Sequence, residues 1–503
     1  MSEAPWSIVD LLAAHADREF LVTDDDSYSF AEIGDCARRF STQLRDHGIM
    51  PGDHVAILAG NHAAFLIAWF GIVMTGAVAA TLNNQLLSDG LRYTVSQSAA
   101  KLIVADQAWV DYAHHHLSSE QQTLPLVLMA DERSFVKSLE AFAPADPVHI
   151  RRGDTMTILY TSGTTGLPKG VMNSHAAYAA SGAQAAKLLG LTPDDRIMVC
   201  LPMFHVNPQM MGVMSALTSG ACMILRPRFS ASTFFADAKA FSATGCTYVG
   251  TILAMLVNRY PDEQRDHSLR FCFGGGAPRE VWRAVEDRFG IRVHECYGMT
   301  EIGGWTSSNT IEAPRFGSTG FVRDDIEVRI VDEGDDPVPP GTRGEIVARP
   351  RANDVILKGY WEKSDKFVES LRNLWFHSGD LGSLDEDGYL YYHGRLKELI
   401  RRGGEMVSPI EVETKLMTMP GVLDCAVVGV PDPVMDEEIK AVIVSSDETF
   451  DPTAVRQFLK EHFPSYMLPR YVELIDVIPK TETQKVRRNL LQNIGEAVVD
   501  LRA

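Results

Sequence analysis

The sequence predicts an α/β protein that has a large N-terminal domain of doubly wound sheets plus an antiparallel β subdomain, followed by a small α+β domain. Three observations predict this fold class. Strand patterns alternate with helical patterns over roughly the first 110 residues, which is typical of βαβ units on a largely parallel sheet. From about Gly317 the chain changes to short strands with turn signals between them. After Arg395, helix and strand patterns return over roughly 105 residues, which is enough for a separate domain.

Local signals predict the individual elements in order. Ser29 and Glu32 form a capping-box pattern that opens a helix, which is expected to end near Gly48. Residues 63–82 are uncharged and long enough to span a membrane, but they have no cationic flank, so we expect a buried helix ending at Gly76 and then a strand. Buried strands are predicted at His54–Leu58, Val78–Leu82, Lys101–Asp106 and Thr155–Tyr160. In the last region, helices are predicted at Pro409–Met417 and Pro452–His462 and strands at Val422–Val430 and Ile439–Ser445.

The composition excludes several classes of partner. The chain has 503 residues, and its 47 Lys and Arg against 66 Asp and Glu give a formal net charge of −19. This charge repels phosphate backbones and anionic lipid, so neither nucleic acid nor a membrane is expected as a partner. The seven cysteines lie singly, without the paired spacing of a zinc or redox site, and the N-terminus lacks the pattern of a secretory signal. We therefore expect a cytoplasmic protein.

The most informative stretch is YTSGTTGLPKGV at Tyr160–Val171, which follows a predicted strand and precedes a helix expected to begin near His175. Glycines let backbone N–H groups approach an anion, hydroxyls add donors, and a lysine adds positive charge. The spacing of Gly163 and Lys169 is not that of a Walker A loop. A flexible polar linker is the alternative interpretation. We favour a phosphate-binding loop made of Thr161, Ser162, Gly163, Thr164, Thr165, Gly166 and Lys169.

Four more segments combine glycines with acidic, basic or aromatic residues: GGGAP at Gly274–Pro278, YGMTE at Tyr297–Glu301, WFHSGD at Trp375–Asp380 and GRLKELIRRGGE at Gly394–Glu405. With the loop, they resemble in order the signature motifs of the adenylate-forming superfamily, which comprises acyl-CoA synthetases, peptide-synthetase adenylation domains and luciferases. The resemblance spans nearly the whole chain and is closest to CoA ligases of the crotonobetaine/carnitine type. It implies an N-terminal AMP- and acyl-binding domain, 1–396, and a mobile C-terminal domain, 397–503.

The resemblance implies a nucleotide site. Asp380 and Arg395 would bind the ribose or the phosphate, and Tyr297 would stack on adenine. Thr300 would bond the phosphate or the acyl carboxylate, and Glu301 would hold Mg²⁺, which prefers hard oxygen ligands. The other implied nucleotide-binding residues are Gly275, Gly276, Ala277, Pro278 and Gly298. Taken one at a time, such residues also fit surface ion pairs, a core tyrosine and a solvated acid.

The resemblance also implies an acyl pocket lined by His205, Val249, Gly250, Gly303, Gly304 and Trp305. Glycines there would leave volume for a bulky acyl group, although they also fit turns, and His205 also fits a core histidine. Lys397 would be the hinge of the C-terminal domain, and Gly403 and Gly404 would form the CoA tunnel. Lys485 would reach the α-phosphate, but the family usually has glycine before this lysine and this chain has Gln484.

The implied activity is that of an acid–thiol ligase, an AMP-forming acyl-CoA synthetase that uses ATP, Mg²⁺ and CoA and acts on a bulky hydrophobic carboxylic acid. Because of Gln484, the sequence also fits an enzyme that only thioesterifies a preformed acyl-AMP. The motifs are further compatible with loading of a carrier protein, with a luciferase-like monooxygenase and with a non-enzymatic nucleotide-binding module. A homodimer is left open.

Overall fold

The computed structural model describes residues 5–86, 88–118, 120–161, 168–310, 312–447, 449–480, 486–495 and 497–501. The α-helices are α1 (Ile8–Ala14), α2 (Phe30–Asp46), α3 (Ala63–Met74), α4 (Ser88–Gln97), α5 (Gln107–His116), α6 (Glu132–Ser138), α7 (His175–Leu189), α8 (Met214–Ser219), α9 (Phe234–Ala240), α10 (Gly250–Arg259), α11 (Arg279–Ala284), α12 (Ser364–Glu369), α13 (Pro409–Leu416) and α14 (Ala454–Lys460). π-Helical turns lie at Asn207–Val213 and Val285–Phe289. Short 3₁₀ turns lie at Gln121–Thr123, Leu139–Ala141, Thr300–Ile302, Leu396–Glu398, Ser465–Met467 and Arg488–Leu490.

The strands fall into four sheets, described in turn below. They are β1 (Glu19–Val22), β2 (Ser27–Ser29), β3 (His54–Leu58), β4 (Val78–Thr81), β5 (Ala100–Asp106), β6 (Leu126–Met129), β7 (Thr155–Thr161), β8 (Lys169–Ser174), β9 (Arg196–Val199), β10 (Cys222–Leu225), β11 (Gly245–Val249), β12 (Phe271–Gly275), β13 (Arg292–Tyr297), β14 (Ser307–Ser308), β15 (Phe321–Val322), β16 (Ile326–Val331), β17 (Gly344–Pro350), β18 (Gly359–Tyr360), β19 (Leu371–Arg372), β20 (Trp375–Leu384), β21 (Leu390–Arg395), β22 (Ile400–Arg402), β23 (Glu405–Val407), β24 (Val422–Asp432), β25 (Asp436–Ser445), β26 (Tyr471–Leu474) and β27 (Val499–Asp500).

Contacts divide the chain into two compact units. The first consists of Met1–Ala277, Val281–Val328 and Ala348–Phe376, and the second of Pro278–Glu280, Arg329–Val347 and His377–Ala503. This division follows compactness only, so the functional boundary between residues 396 and 397 stays a prediction.

The first unit contains two large sheets with helices on both faces. The seven-stranded sheet has the order β18-β8-β7-β4-β3-β5-β6, and the nine-stranded sheet has the order β15-β14-β13-β12-β11-β9-β10-β1-β2. One core joins their facing sides to α2, α3, α7 and α8, whereas the outer face of the nine-stranded sheet packs on α9–α11. The outer face of the seven-stranded sheet packs against α4 and α5. This layering confirms the predicted α/β class with doubly wound sheets.

The predicted N-terminal elements are confirmed with small shifts. Ser29 and Glu32 form both hydrogen bonds of the capping box of α2, and Gly48 follows the helix with φ +78°. Every residue of α3 is buried, which explains why this helix is apolar all round. In the part of the chain that the structure describes, no helix is long and apolar enough to cross a bilayer.

A five-stranded sheet of order β16-β17-β20-β19, with β21 beside β20, supplies the predicted antiparallel subdomain. Its β19–β20 and β20–β21 pairs are antiparallel. The last sheet lies in the second unit, has the order β23-β22-β25-β26-β27 with β24 beside β25, and packs one face against α13 and α14. This arrangement confirms the α+β character predicted for the region after Arg395.

Candidate active site

Val249 and the GGGAP and YGMTE segments lie at one edge of the nine-stranded sheet. Strands β9, β11, β12 and β13 are parallel neighbours, and their carboxyl ends carry Val199, Val249, Gly275 and Tyr297. Ligands of open α/β sheets bind outside the carboxyl ends of the strands. The chain therefore places the predicted acyl-pocket and nucleotide-binding segments side by side, where a ligand is expected.

A buried carboxylate supports the turn that follows β12. Glu295 accepts hydrogen bonds from the backbone N–H of Gly276 at 2.6 Å and of Ala277 at 3.0 Å, and from the Tyr248 hydroxyl at 2.5 Å. Burial raises the pKa of the Glu295 carboxyl to about 7, while these hydrogen bonds act in the opposite direction. The sequence motifs do not include Glu295, whose only signal was an acidic residue within a buried strand.

Two glycines at this edge are required by close packing of the main chain. A Cβ atom on Gly250 would lie 1.6 Å from the carbonyl oxygen of Gly276, and Gly276 itself has φ +89°, in the left-handed region. A Cβ atom on Gly275 would lie 2.5 Å from the oxygen of Cys296. These glycines are therefore explained by packing of the protein's own backbone, and the close approach of this turn to adenine stays a prediction. Pro278 directly precedes α11.

Tyr297 and the residues after it form a compact corner. Tyr297 is 6% exposed, and its carbonyl accepts a hydrogen bond from the backbone N–H of Thr306 at 2.7 Å. A Cβ atom on Gly298 would lie 2.4 Å from the Cα atom of Trp305, so only glycine fits this position. The ring of Tyr297 lies at the strand end, and its stacking on adenine stays a prediction.

Tyr360 brings together two predicted phosphate-side residues that are far apart in sequence. Its hydroxyl donates to the Glu301 carboxylate at 3.2 Å, and the Lys169 ammonium lies 4.2 Å from the centroid of its ring. Thr300 and Glu301 are 9% and 5% exposed. The motifs give no role to Tyr360. Its sequence neighbourhood shows just an aromatic pair, Tyr360 and Trp361, after Gly359.

Glu301 suits a magnesium ion. Its carboxylate has more acceptor sites than the single Tyr360 bond uses, and Mg²⁺ is usually held by one or two carboxylates together with substrate phosphates and water. Across the described ranges, no three His, Cys, Asp or Glu side chains cluster in a way that could hold a metal ion. A single carboxylate such as Glu301 fits Mg²⁺ that shares its other ligands with phosphate and water.

The phosphate-binding loop corrects one expectation. The sequence predicts a strand, this loop and then a helix, but β8 intervenes before α7 and pairs antiparallel with β7, so that Thr161 lies opposite Lys169. The loop thus joins two antiparallel strands, and the helix predicted near His175 begins there, after the intervening strand. Its members Ser162, Gly163, Thr164, Thr165 and Gly166 lie outside the described residues.

The predicted acyl pocket is assembled only in part. The turn that carries His205 continues into a π-helical segment whose Asn207 side-chain amide donates to the Tyr248 carbonyl at 3.1 Å. This bond ties the turn to the end of β11, next to Val249 and Gly250. The His205 ring is half-buried and lies 4.2 Å, centroid to centroid, from that of Phe204.

On the opposite side, a Cβ atom on Gly303 would lie 2.6 Å from the Val355 carbonyl, and one on Gly304 would lie 2.7 Å from the Met210 sulfur. The space beside Gly250 and Gly303 is therefore filled by backbone, and the expectation that these glycines leave volume for the substrate is wrong. Trp305 is 2% exposed, and its indole N–H donates to the Ser181 carbonyl at 3.3 Å. Trp305 packs within the core.

The ribose-side pair lies in the second unit. Asp380 is 2% exposed and pairs with the Nε atom of Arg395 at 2.9 Å across the β20–β21 ladder. Its own N–H donates to the Ser378 hydroxyl at 3.0 Å. A buried carboxylate with an adjacent guanidinium is suited to a sugar diol or a phosphate, and the assignment stays a prediction.

The predicted hinge residue lies between two ion pairs. Lys397 is exposed in the 3₁₀ turn Leu396–Glu398. Arg395 before it pairs with Asp380, and Glu398 after it pairs with Arg488 at 3.1 Å. Arg488 also binds the Glu413 carboxylate, so residues on both sides of Lys397 are anchored.

Gly403 and Gly404, predicted for the CoA tunnel, form the turn between β22 and β23. Gln484 and the predicted catalytic Lys485 lie outside the described residues.

Comparisons with known proteins identify the family. The family described as AMP-binding enzyme matches residues 10–361, and the AMP-binding enzyme C-terminal domain matches residues 411–485. The chain is 33% identical to oxalate–CoA ligase of Arabidopsis thaliana, with 94% of this chain and 95% of that protein covered. It is 29% identical to a crotonobetaine/carnitine–CoA ligase of Salmonella arizonae, with 96% and 97% covered.

The fold agrees with this assignment. The crystal structure of ATP-bound MatB from Rhodopseudomonas palustris matches with a TM-score of 0.88 at 28% identity, covering 96% of this chain and 98% of that one. The family match extends over most of the chain, and the relatives align with nearly all of it. The resemblance that the motifs indicated is thereby confirmed: this chain belongs to the family of AMP-binding enzymes.

Proposed function

We propose that this chain is an AMP-forming acid–thiol ligase, which converts a hydrophobic carboxylic acid to its acyl-AMP with ATP and transfers the acyl group to CoA. The observation that carries this proposal is the convergence around Tyr360. Glu301, from the YGMTE segment, and Lys169, from the phosphate loop, contact one side chain although they are distant in sequence. Relatives in the family are named as CoA ligases, which supports the same reaction.

In the first half-reaction, a carboxylate oxygen of the acid attacks the α-phosphorus of ATP, and pyrophosphate leaves. Lys169 is suited to bind the phosphates, and Lys485 is proposed to stabilise negative charge on the α-phosphate. Bound through Glu301, Mg²⁺ would neutralise phosphate charge. The turn at Gly275 and Gly276 would hold the adenine edge, because glycines present backbone groups without an intervening side chain.

In the second half-reaction, the CoA thiol attacks the carbonyl carbon of acyl-AMP, and AMP leaves with the electron pair of the broken C–O bond. We propose that the C-terminal domain turns about Lys397 between the two steps and presents Gly403 and Gly404 to CoA. Asp380 and Arg395 would retain the ribose throughout. The cysteines need no catalytic role, because the acyl group passes directly from AMP to the thiol of CoA.

The acid is proposed to be hydrophobic because of the apolar side chains near His205. Val206 and Met210 lie beside Gly304, and Val249 ends the neighbouring strand. The expectation of a bulky acyl group rested on volume beside Gly250 and Gly303, which backbone fills, so the proposal is confined to the hydrophobic character of the acid. Two relatives named for different acids, oxalate and crotonobetaine or carnitine, indicate that the family match does not specify the acid.

A screen of carboxylic acids tests the proposal. Purified protein is incubated with ATP, Mg²⁺, CoA and single acids, including benzoate, isovalerate, acetate and oxalate, and thioesters are measured by mass spectrometry. We expect thioesters from hydrophobic acids, dependence on ATP, and loss of product in Glu301→Gln. Acylation of a carrier-protein phosphopantetheine but not of free CoA would refute the transfer to CoA. Preference for acetate or oxalate would refute the hydrophobic acid.

Gln484 favours a second candidate, a ligase that thioesterifies acyl-AMP but adenylates poorly. A residue with a side chain at a position that the family fills with glycine could displace Lys485, which acts only in adenylation. This candidate predicts fast thioester formation from synthetic acyl-AMP together with slow acid-dependent pyrophosphate release from ATP. Equally fast half-reactions would reject it.

A further inference from the structure

Gly403 and Gly404 form the two-residue turn of a β-hairpin. Strands β22 and β23 pair antiparallel with Arg402 opposite Glu405, and Gly403 and Gly404 have φ +57° and +87°. Two consecutive positive φ values are typical of a type I′ turn, which continues the twist of both strands. A Cβ atom on Gly404 would have no other atom within 4 Å, so this residue faces open space, whereas one on Gly403 would lie 2.7 Å from the Met435 side chain.

The residue immediately before this exposed turn is a buried arginine. Arg402 is 2% exposed, and its Nε atom pairs at 2.8 Å with Glu438 of β25, whose side chain is fully buried. The guanidinium also donates to three backbone carbonyls of one segment, those of Ser465 at 3.0 Å, Tyr466 at 2.8 Å and Leu468 at 3.3 Å. Arg402 thus joins the hairpin, β25 and the 465–468 segment.

Backbone contacts hold the same point of the hairpin. The N–H of Gly403 donates to the Met435 carbonyl at 2.8 Å, and Arg402 lies in register with Asp436 of β25. The first glycine of the turn is therefore fixed on the side of Arg402. On its other side, Glu405 and Met406 are exposed. The position of the Gly403–Gly404 turn therefore depends mainly on the contacts that Arg402 and the Gly403 N–H make with β25 and Met435.

We propose that Arg402 and Glu438 are positioning residues for thioester formation, which fix the Gly403–Gly404 turn where it must meet CoA. The inference rests on the proposed transfer to CoA. Buried ion pairs contribute little net stability compared with apolar residues of the same volume, so a fully buried pair of this kind suits a role in setting geometry. A displacement of about 1 Å in a substrate-positioning element can cost roughly 100-fold in rate.

Arg402→Lys is the sharpest variant. Lysine keeps the positive charge beside Glu438, but a single ammonium cannot reproduce the planar fork that reaches Glu438 and three carbonyls together. Lys440→Met is the matched control. Like Arg402, Lys440 is a buried cation, and it lies on β25. It pairs with Glu473 at 2.7 Å and binds the Leu491 and Asn493 carbonyls, away from the hairpin.

Three measurements are made on the wild type and both variants. Hydrogen–deuterium exchange of the peptide covering residues 400–407 reports the anchoring of the hairpin. Steady-state assays with the best acid from the screen give the KM for CoA, and acid-dependent pyrophosphate release without CoA gives the adenylation rate. For Arg402→Lys we expect faster exchange in this peptide, a KM for CoA raised about tenfold to 100-fold, and adenylation within about twofold of wild type.

The outcomes separate this inference from the proposed function. Equal KM values for CoA in Arg402→Lys and wild type would overturn the positioning role, even if exchange increased. An equal rise of KM in Lys440→Met would also overturn it, because general loosening of the domain would then explain the effect. Absence of any CoA thioester from the wild type would instead reject the transfer to CoA, and unchanged exchange in Arg402→Lys would show that the hairpin needs no such anchor.

Discussion

Replacing Glu295 by glutamine is expected to remove a pH dependence of stability from the first unit. The Glu295 carboxylate is buried beneath the turn at Gly276 and accepts three hydrogen bonds, two from backbone N–H groups and one from Tyr248. Burial disfavours the ionised form more strongly than these bonds favour it, so the pKa rises from 4.5 to about 7. Glutamine has nearly the same shape but cannot ionise.

The sign and the size follow from linkage. A carboxyl whose pKa is raised by folding stabilises the folded state fully below its unfolded pKa, and this stabilisation is lost as the pH rises through the folded pKa. For pKa values of 4.5 and about 7, the loss between pH 5 and pH 8 is about 2 to 3 kcal/mol. The free energy of unfolding of Glu295→Gln minus that of the wild type should therefore rise by this amount over the same range.

Urea unfolding at pH 5, 6, 7 and 8 checks this expectation. All seven tryptophans lie in the first unit, so their fluorescence reports the unfolding of that unit. Tyr248→Phe is the companion variant. Because it deletes one hydrogen bond that lowers the pKa, its loss of stability should extend to higher pH than in the wild type. A difference between Glu295→Gln and wild type that stays constant within about 1 kcal/mol from pH 5 to pH 8 would refute the reasoning.

Three further variants test the nucleotide site, the hinge and the C-terminal lysine. Asp380→Ala should weaken AMP binding roughly tenfold to 100-fold by calorimetry, because a charge-assisted hydrogen bond contributes about 1.5 to 3 kcal/mol. Lys397→Pro should slow thioester formation from preformed acyl-AMP more than it weakens AMP binding, since proline fixes φ, and Lys397→Ala is its control. The second candidate, in which Gln484 misplaces Lys485, predicts that Gln484→Gly speeds acid-dependent pyrophosphate release by up to roughly 100- to 1000-fold and leaves thioester formation unchanged.

Each of these variants has an outcome that contradicts its premise. An unchanged Kd for AMP in Asp380→Ala would make this carboxylate a purely structural partner of Arg395. If Lys397→Pro and Lys397→Ala formed thioester at the same rate, the hinge would lie elsewhere. Rapid pyrophosphate release by the wild type, not improved in Gln484→Gly, would show that glutamine is tolerated beside Lys485.

Local sequence determined the parts of this protein whose causes are local. Ser29 and Glu32 cap α2 because their side chains reach backbone groups only three residues away. The stretch 63–82 formed a buried helix and strand because Gly76, with φ +76°, ends the helix. The order of the glycine-rich and acidic segments was enough to predict the family, since each segment is contiguous in the chain.

Tertiary structure decided whatever depends on partners from distant segments. Strand β8 was missed because it is defined by its hydrogen-bonding partner β7, and a short strand is hard to recognise without its neighbour. Tyr360 contacts Glu301 across 59 positions of sequence, and Gly250 is required because the Gly276 backbone packs against it. Such contacts are set by how sheets and turns pack in space, and neither residue type nor spacing along the chain encodes them.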